Sequence, residues 1–185
     1  MTDTEIIELF FERSDRAISE LEAAHGSAVR RVAMNILADP LDGEECVNDT
    51  WFGVWNTIPP LRPSPLRTFV CRIARNLATK KYHANKALKR NSQYDLALDE
   101  LAECIPDINT IESEYASREL AKTINRFLGT LNYVDRFIFM RRYWYADSIP
   151  DIAEMTNMNY NTVSVHLYRT KTKLKNHLTK EGLLV

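Results

Sequence analysis

The sequence predicts an all-α protein: two small helical domains joined by an acidic linker, the C-terminal one containing a helix-turn-helix. Three observations predict it. Apolar residues recur at helical spacing along nearly the whole chain, and no convincing period-two strand interrupts them. A polar, acidic stretch from Asn91 to about Asn109 lacks a sustained stripe and divides the chain. Beyond it, "DIAEMTNMNYNTVSVHLYRTKTKLK", Asp151 to Lys175, reads as two short helices joined by a tight turn.

The first helix is expected from about Thr4 to Glu12. Ser14 can cap the next, which continues through Leu21 toward Gly26. The following segment aligns Val29, Val32, Ala33, Ile36 and Leu37 on one stripe and ends at Asp39-Pro40, since proline disfavours helical geometry before it. Glu44 to Ile58 repeats the device with Val47, Trp51, Val54, Trp55 and Ile58 inward. "PPLRPSP", Pro59 to Pro65, holds four of the seven prolines and reads as a stiff, extended connector. A long basic helix follows, from Leu66 to about Leu88, with Phe69, Val70, Ile73 and Leu77 inward. Within the linker, "LALDELAECI" can form a short helix. Two further helices are expected over about Ile111 to Leu128 and Asn132 to Tyr145. The domains are therefore 1–90 and 110–185, with 91–109 between them.

In the final pair, Ile149, Ile152 and Ala153 form an apolar edge, and the small Ala153 lets the second helix cross closely. Asn157 falls where the turn needs a left-handed residue, which asparagine tolerates next best after glycine. Asn159 suits the N-cap of the second helix. Val163, Leu167 and Leu174 face inward, leaving Thr162, Ser164, Val165, Tyr168, Arg169 and Lys171 outward. Small polar residues near a helix start can reach base edges, and cations further along can meet phosphates.

Charge is distributed in blocks that the formal net charge of -1 conceals. Met1 to Asp49 carries twelve acids against four bases. Arg62 to Arg90 carries nine cations and no acid, Asp95 to Glu119 is acidic again, and the C-terminal stretch turns basic. Two separated basic blocks imply two phosphate-facing surfaces.

Other function classes find no support. The glycine-rich phosphate loop, nucleophile elbow and metalloprotease patterns are absent, and the four histidines are scattered. Cys46, Cys71 and Cys104 fit no zinc or redox spacing and read as reduced thiols in a cytoplasm. No enzyme activity, metal or other cofactor, or small-molecule substrate is expected. No apolar run is long enough to span a membrane, and the acidic N-terminus is not a signal peptide. No regulatory domain is expected after the last helix.

"DGEECVNDTWFGVWNTIPP" with "LRTFVCRIARNLATKKY" resembles region two of bacterial sigma factors. "LNYVDRFIFMRRYWYADSIPDIAEMTNMNYNTVSVHLYRTKTKLKNHL" resembles region four, and the whole is similar to the extracytoplasmic-function type of the sigma-seventy family. The resemblance implies a factor that binds core RNA polymerase, recognises a promoter and melts it. Glu44, Glu45, Asn48, Asp49, Phe52 and Asn56 would dock on the clamp helices of the largest polymerase subunit. The proline-stiffened loop would give a rigid pocket for an unpaired base of the minus-ten element. Arg67, Arg72, Arg75, Asn76, Lys80, Lys81 and Arg90 would hold that element, with Asn76 bonding an extruded base. Region four would read the minus-thirty-five element as duplex, through Asn161, Thr162, Ser164, Val165, Tyr168, Arg169, Lys171 and Lys173. Arg141 and Arg142 would add phosphate contacts. Relatives often carry a cation where Ser164 stands, and a tryptophan where Phe69 stands. The flap of the second-largest subunit and an anti-sigma factor, the family's common restraint, are the further partners implied. On the residues alone, a stand-alone helix-turn-helix regulator and a helical adaptor binding only protein stay open.

Overall fold

The computed structural model describes residues 1–85, 92–102, 104, 105 and 114–184. All regular structure among them is helical: α1 (Asp3–Phe11), α2 (Arg16–Leu37), α3 (Pro40–Thr57), α4 (Leu66–Asn85), α5 (Gln93–Ala102), α6 (Glu114–Thr130), α7 (Tyr133–Tyr143), α8 (Ile149–Thr156) and α9 (Tyr160–Lys180). The chain forms two compact units, Met1–Tyr94 and Asp95–Val185. No described helix is long and apolar enough to cross a membrane.

In the first unit α2, α3 and α4 pack on one another and α1 lies on α2. A capping box starts α1: Thr2 Oγ1 accepts from the Glu5 amide, and the Glu5 carboxylate accepts from the Thr2 amide at 2.7 Å. The two segments expected on either side of Gly26 are one helix, α2. Gly26 is buried within it, and an added Cβ would stand 3.0 Å from Glu22 and 3.9 Å from Trp51. The glycine costs about 1 kcal/mol of helix propensity, and the tight neighbour an alanine would meet there is the flexible Glu22 side chain, Trp51 of α3 lying at ordinary contact distance. Ala38 ends α2 in the left-handed region at φ 55. Asp39 then caps α3, its carboxylate accepting from the amides of Leu41 (3.0 Å) and Asp42 (3.2 Å), with Pro40 in the first turn. Asp39-Pro40 thus ends one helix and starts the next, four residues before the expected Glu44.

The inward face of α4 is turned from the expected one. Phe69 and Val70 are buried, but Ile73 and Leu77 are only half-buried, and Cys71, Ala74 and Ala78 lie in the core instead. These small side chains let the helix backbones approach. The Cys46 thiol of α3 reaches the Ala74 carbonyl at 3.6 Å.

The second unit is built around α9, on which α6, α7 and α8 pack. Its core contains Phe127, Leu131, Ile138, Phe139, Ile152, Val163, Leu167, Leu174 and Leu178. The stretch expected to be linker contributes to this core: Ala97 of α5 is buried there, and Leu101 and Ile105 pack against it.

Candidate nucleic-acid interface

The exposed face of α3 carries Glu44, Glu45, Asn48, Asp49, Phe52 and Asn56, the whole set singled out from the sequence. Their spacing repeats every three to four residues, so the helix gathers them on one side. Phe52 is 69% exposed, and beside it Ile18, Trp51 and Trp55 line a shallow apolar cleft. Glu44 pairs with Arg30 at 3.0 Å, and Glu45 pairs with Lys81 at 2.6 Å.

Along α4, Arg72, Asn76 and Lys80 are exposed at i, i+4 and i+8, and Arg67 is exposed five residues before Arg72, on another side of the helix. Not all of the predicted set joins them. Lys81 turns toward α3, bonded to Asp42 at 3.1 Å and Glu45 at 2.6 Å, and these carboxylates raise its pKa. The Arg75 guanidinium is half-buried, 5.4 Å from the Tyr94 ring, and burial lowers its pKa. Arg90 lies outside the described residues. Tyr82 is buried edge-on against Tyr94 at 5.2 Å, whereas His83 is exposed.

In the second unit Asn157 adopts φ 53 and ψ 37, and the amide of Met158 donates to the Ala153 carbonyl at 3.0 Å. Asn159 caps α9, its side-chain oxygen accepting from the Thr162 amide at 2.8 Å. Helix α9 therefore leaves the turn with Asn161, Val165, Tyr168, Arg169 and Lys173 exposed and Val163, Leu167 and Leu174 buried. The hydroxyls on this face are turned inward in hydrogen bonding. Thr162 donates to Asn159 at 2.9 Å and Ser164 donates to the Tyr160 carbonyl at 2.9 Å. What they offer a ligand is acceptor lone pairs. Tyr160, passed over in the sequence, is 54% exposed one turn before Ser164 and two turns before Tyr168. The i, i+4, i+8 spacing was the signal that could have found it.

Arg141 and Arg142 do not form the phosphate-facing pair expected of them. Arg142 is 3% exposed, and its guanidinium donates to Glu100 at 2.7 and 3.3 Å and to the Asp147 carbonyl at 2.9 Å. Arg141 is ion-paired with the buried Asp147 carboxylate and lies 4.5 Å from the Tyr145 ring. Both arginines are interior struts of the second unit. Lys171 is half-buried, its ammonium 3.3 Å from the Glu100 carbonyl, and Lys173 stands 3.8 Å from Asp135.

Two family models match the chain, Sigma-70 region 2 over residues 21–87 and Sigma-70, region 4 over residues 122–174, together nearly two thirds of its length. The chain belongs to the sigma-70 family. Region 2 joined to region 4 is the composition of the extracytoplasmic-function type of sigma factor. Helices α3 and α4 of this sigma factor fall within the first match, and α7, α8 and most of α9 within the second. Helices α1 and α5 lie outside both. No curated protein matches it significantly. Among solved structures it is similar to a chain described as "Structure of CnrH in complex with the cytosolic domain of CnrY", at 21% identity and a TM-score of 0.45. That alignment covers 96% of this sigma factor and 97% of the other chain.

Proposed function

We propose that this sigma factor joins core RNA polymerase through α3, and grips promoter DNA through α4 and α9. The observation that carries this reading is the Arg72–Asn76–Lys80 row on α4, directly after a proline-rich loop. A row of cations with an amide between them can follow a single strand's phosphates while bonding one extruded base. Arg67, exposed near the loop, stands on another side of α4 from the row and adds a cation close to the loop only. On α9 the exposed Tyr160, Asn161, Val165, Tyr168 and Arg169 form a face suited to a duplex groove, with Arg169 toward phosphate and the others toward base edges. Ser164 and Thr162 contribute acceptors there, so the preferred sequence presents donors, such as the amino groups of adenine or cytosine, opposite them.

On α3, Phe52 supplies an aromatic anchor beside Asn48, Asp49 and Asn56, and the surrounding acid suits a basic partner helix of the polymerase. The near-neutral whole keeps the free factor from binding DNA strongly, because acid blocks offset basic ones at long range. An inhibitory protein partner would act by covering either of these faces. The protein works where the polymerase is, in the cytoplasm, and carries out no chemistry of its own.

The test is to add the purified protein to core polymerase on genomic DNA and sequence the 5′ ends of the transcripts. Shared sequence elements upstream of the new starts are expected, and Arg169→Ala should lower both their use and the salt slope of duplex binding by about one. Failure to bind core, together with no promoter-dependent transcript, rejects the reading.

A further inference from the structure

The prolines stiffen the loop between α3 and α4 but leave its backbone few donors with which to fix its own placement. Pro59, Pro60, Pro63 and Pro65 have no amide hydrogen, so after Ile58, which donates back to the Val54 carbonyl, only Leu61, Arg62 and Ser64 can donate from the backbone, and Leu61 reaches the Thr57 carbonyl at 3.4 Å. Contacts that hold the loop in place come from α1 and the turn after it. At the entry, Arg13 donates to the Trp55 carbonyl at 2.8 Å and lies 5.0 Å from the Trp55 ring, which Phe10 meets edge-on at 5.9 Å. In the middle, the Arg62 guanidinium engages both carboxylate oxygens of Glu8, one at 3.2 Å, while lying 3.9 Å from the centre of the Phe11 ring. At the exit, the Asp3 carboxylate accepts from the Leu66 amide at 3.2 Å and so caps α4. Its other oxygen is held by His25 of α2 at 2.9 Å.

We propose that α1 is a positioning element for the promoter loop, with Glu8 and Arg62 as its central pair and Asp3 as the cap that fixes where α4 begins. This deepens the reading above and rests on its assignment of the loop to an unpaired base. It also gives Arg62 a role its charge alone would hide. Arg62 opens the acid-free basic block, but Glu8 neutralises it and the Phe11 ring covers one face, so it shapes the loop instead of attracting phosphate. A bidentate pair stacked on an aromatic ring fixes a direction as well as a distance. Holding the loop before DNA arrives lowers the ordering cost of receiving a base.

Reversing the two charges separates these roles. The probe is holoenzyme binding to a fluorescent single strand carrying the minus-ten segment of a promoter found by transcript mapping. Each base of that segment is substituted in turn. Glu8→Arg and Arg62→Glu should each weaken binding about five- to tenfold and flatten the base preference, and the double exchange should restore both. Affinity for core polymerase should stay unchanged throughout. If either reversal unfolds the first unit, Glu8→Gln and Arg62→Gln, singly and together, give the same comparison.

If Arg62 meets phosphate, Glu8→Arg will bind as well or better and the exchange will not rescue Arg62→Glu, which overturns the proposal. If neither reversal matters while Asn76→Ala lowers binding and base preference, the loop is held without α1 and only this inference falls. If Asn76→Ala is also without effect, the assignment of loop and α4 to an unpaired base fails, and the inference with it.

Discussion

Replacing Arg142 by methionine keeps the stem volume in the core of the second unit and removes the guanidinium. Hydrogen bonds are lost with it, among them two to Glu100 and one to the Asp147 carbonyl. Removing one partner of a buried ion pair typically costs 3–5 kcal/mol, because the other is left unpaired. Here the cost lies near the lower bound, about 3 kcal/mol, because Glu100 is 30% exposed and keeps the Tyr143 hydroxyl at 3.0 Å. Hydrogen exchange of the α7 and α9 amides reads this directly, since it follows opening of that unit alone. A loss of about 3 kcal/mol speeds exchange through global opening by roughly two orders of magnitude and lowers the melting temperature of a unit this size by on the order of 15 °C. Glu100→Gln should be milder, about 1–2 kcal/mol, and the double variant should fall well short of the sum. The reasoning is refuted if Arg142→Met leaves exchange unchanged but weakens duplex binding and lowers its salt slope by about one. That is the behaviour of the phosphate contact expected from the sequence.

Ala38→Gly should stabilise the first unit by about 1 kcal/mol in a thermal melt, since an exposed alanine is held there at φ 55, where only glycine is free of Cβ strain. Phe52→Ala should leave that melt unchanged to about 0.5 kcal/mol and weaken core polymerase binding at least about tenfold in a competition assay, since the ring is 69% exposed. Burial pushes the Cys46 thiol up to about 11, so at pH 8 it should react with a thiol reagent only as fast as the unit opens. The sign for stability follows: the contribution of the protonated thiol is complete below pH 9, its ordinary value, and is lost as pH rises toward about 11. Alkaline urea titrations of the wild type against Cys46→Ala check it.

The helix-turn-helix was legible residue by residue because its demands are local. Asn157 takes the left-handed turn and Asn159 the cap, each set by a backbone need that few side chains meet. Arg142 was not legible. Its neighbours in sequence mark it as a cation after an apolar run, and what buries it is Glu100, forty-two residues away. The face of α4 was misjudged for a related reason. Ala74 and Ala78 carry little hydrophobic weight, yet closeness of approach to α2 and α3 places them inside and leaves Ile73 and Leu77 half-buried at the edge. Gly26 reads as a helix end, whereas α2 runs through it and buries it. The exposed sets on α3 and α9 were legible because they are the complement of a regular stripe. Lys81, Arg75 and Lys171 were not separable from them, since a cation's partner is a tertiary fact.

Helix α5 bears on how far the second unit can be moved as a module. The region 4 match begins at residue 122, yet Ala97 is buried in that unit's core and Glu100 satisfies both Arg142 and the Tyr143 hydroxyl. A fragment cut at the match, or a chimera that grafts residues 122–174 onto another factor, would expose an apolar seam and take from the buried Arg142 guanidinium its Glu100 carboxylate. The second compact unit begins at Asp95, and a swap that respects that boundary carries Ala97 and Glu100 with it.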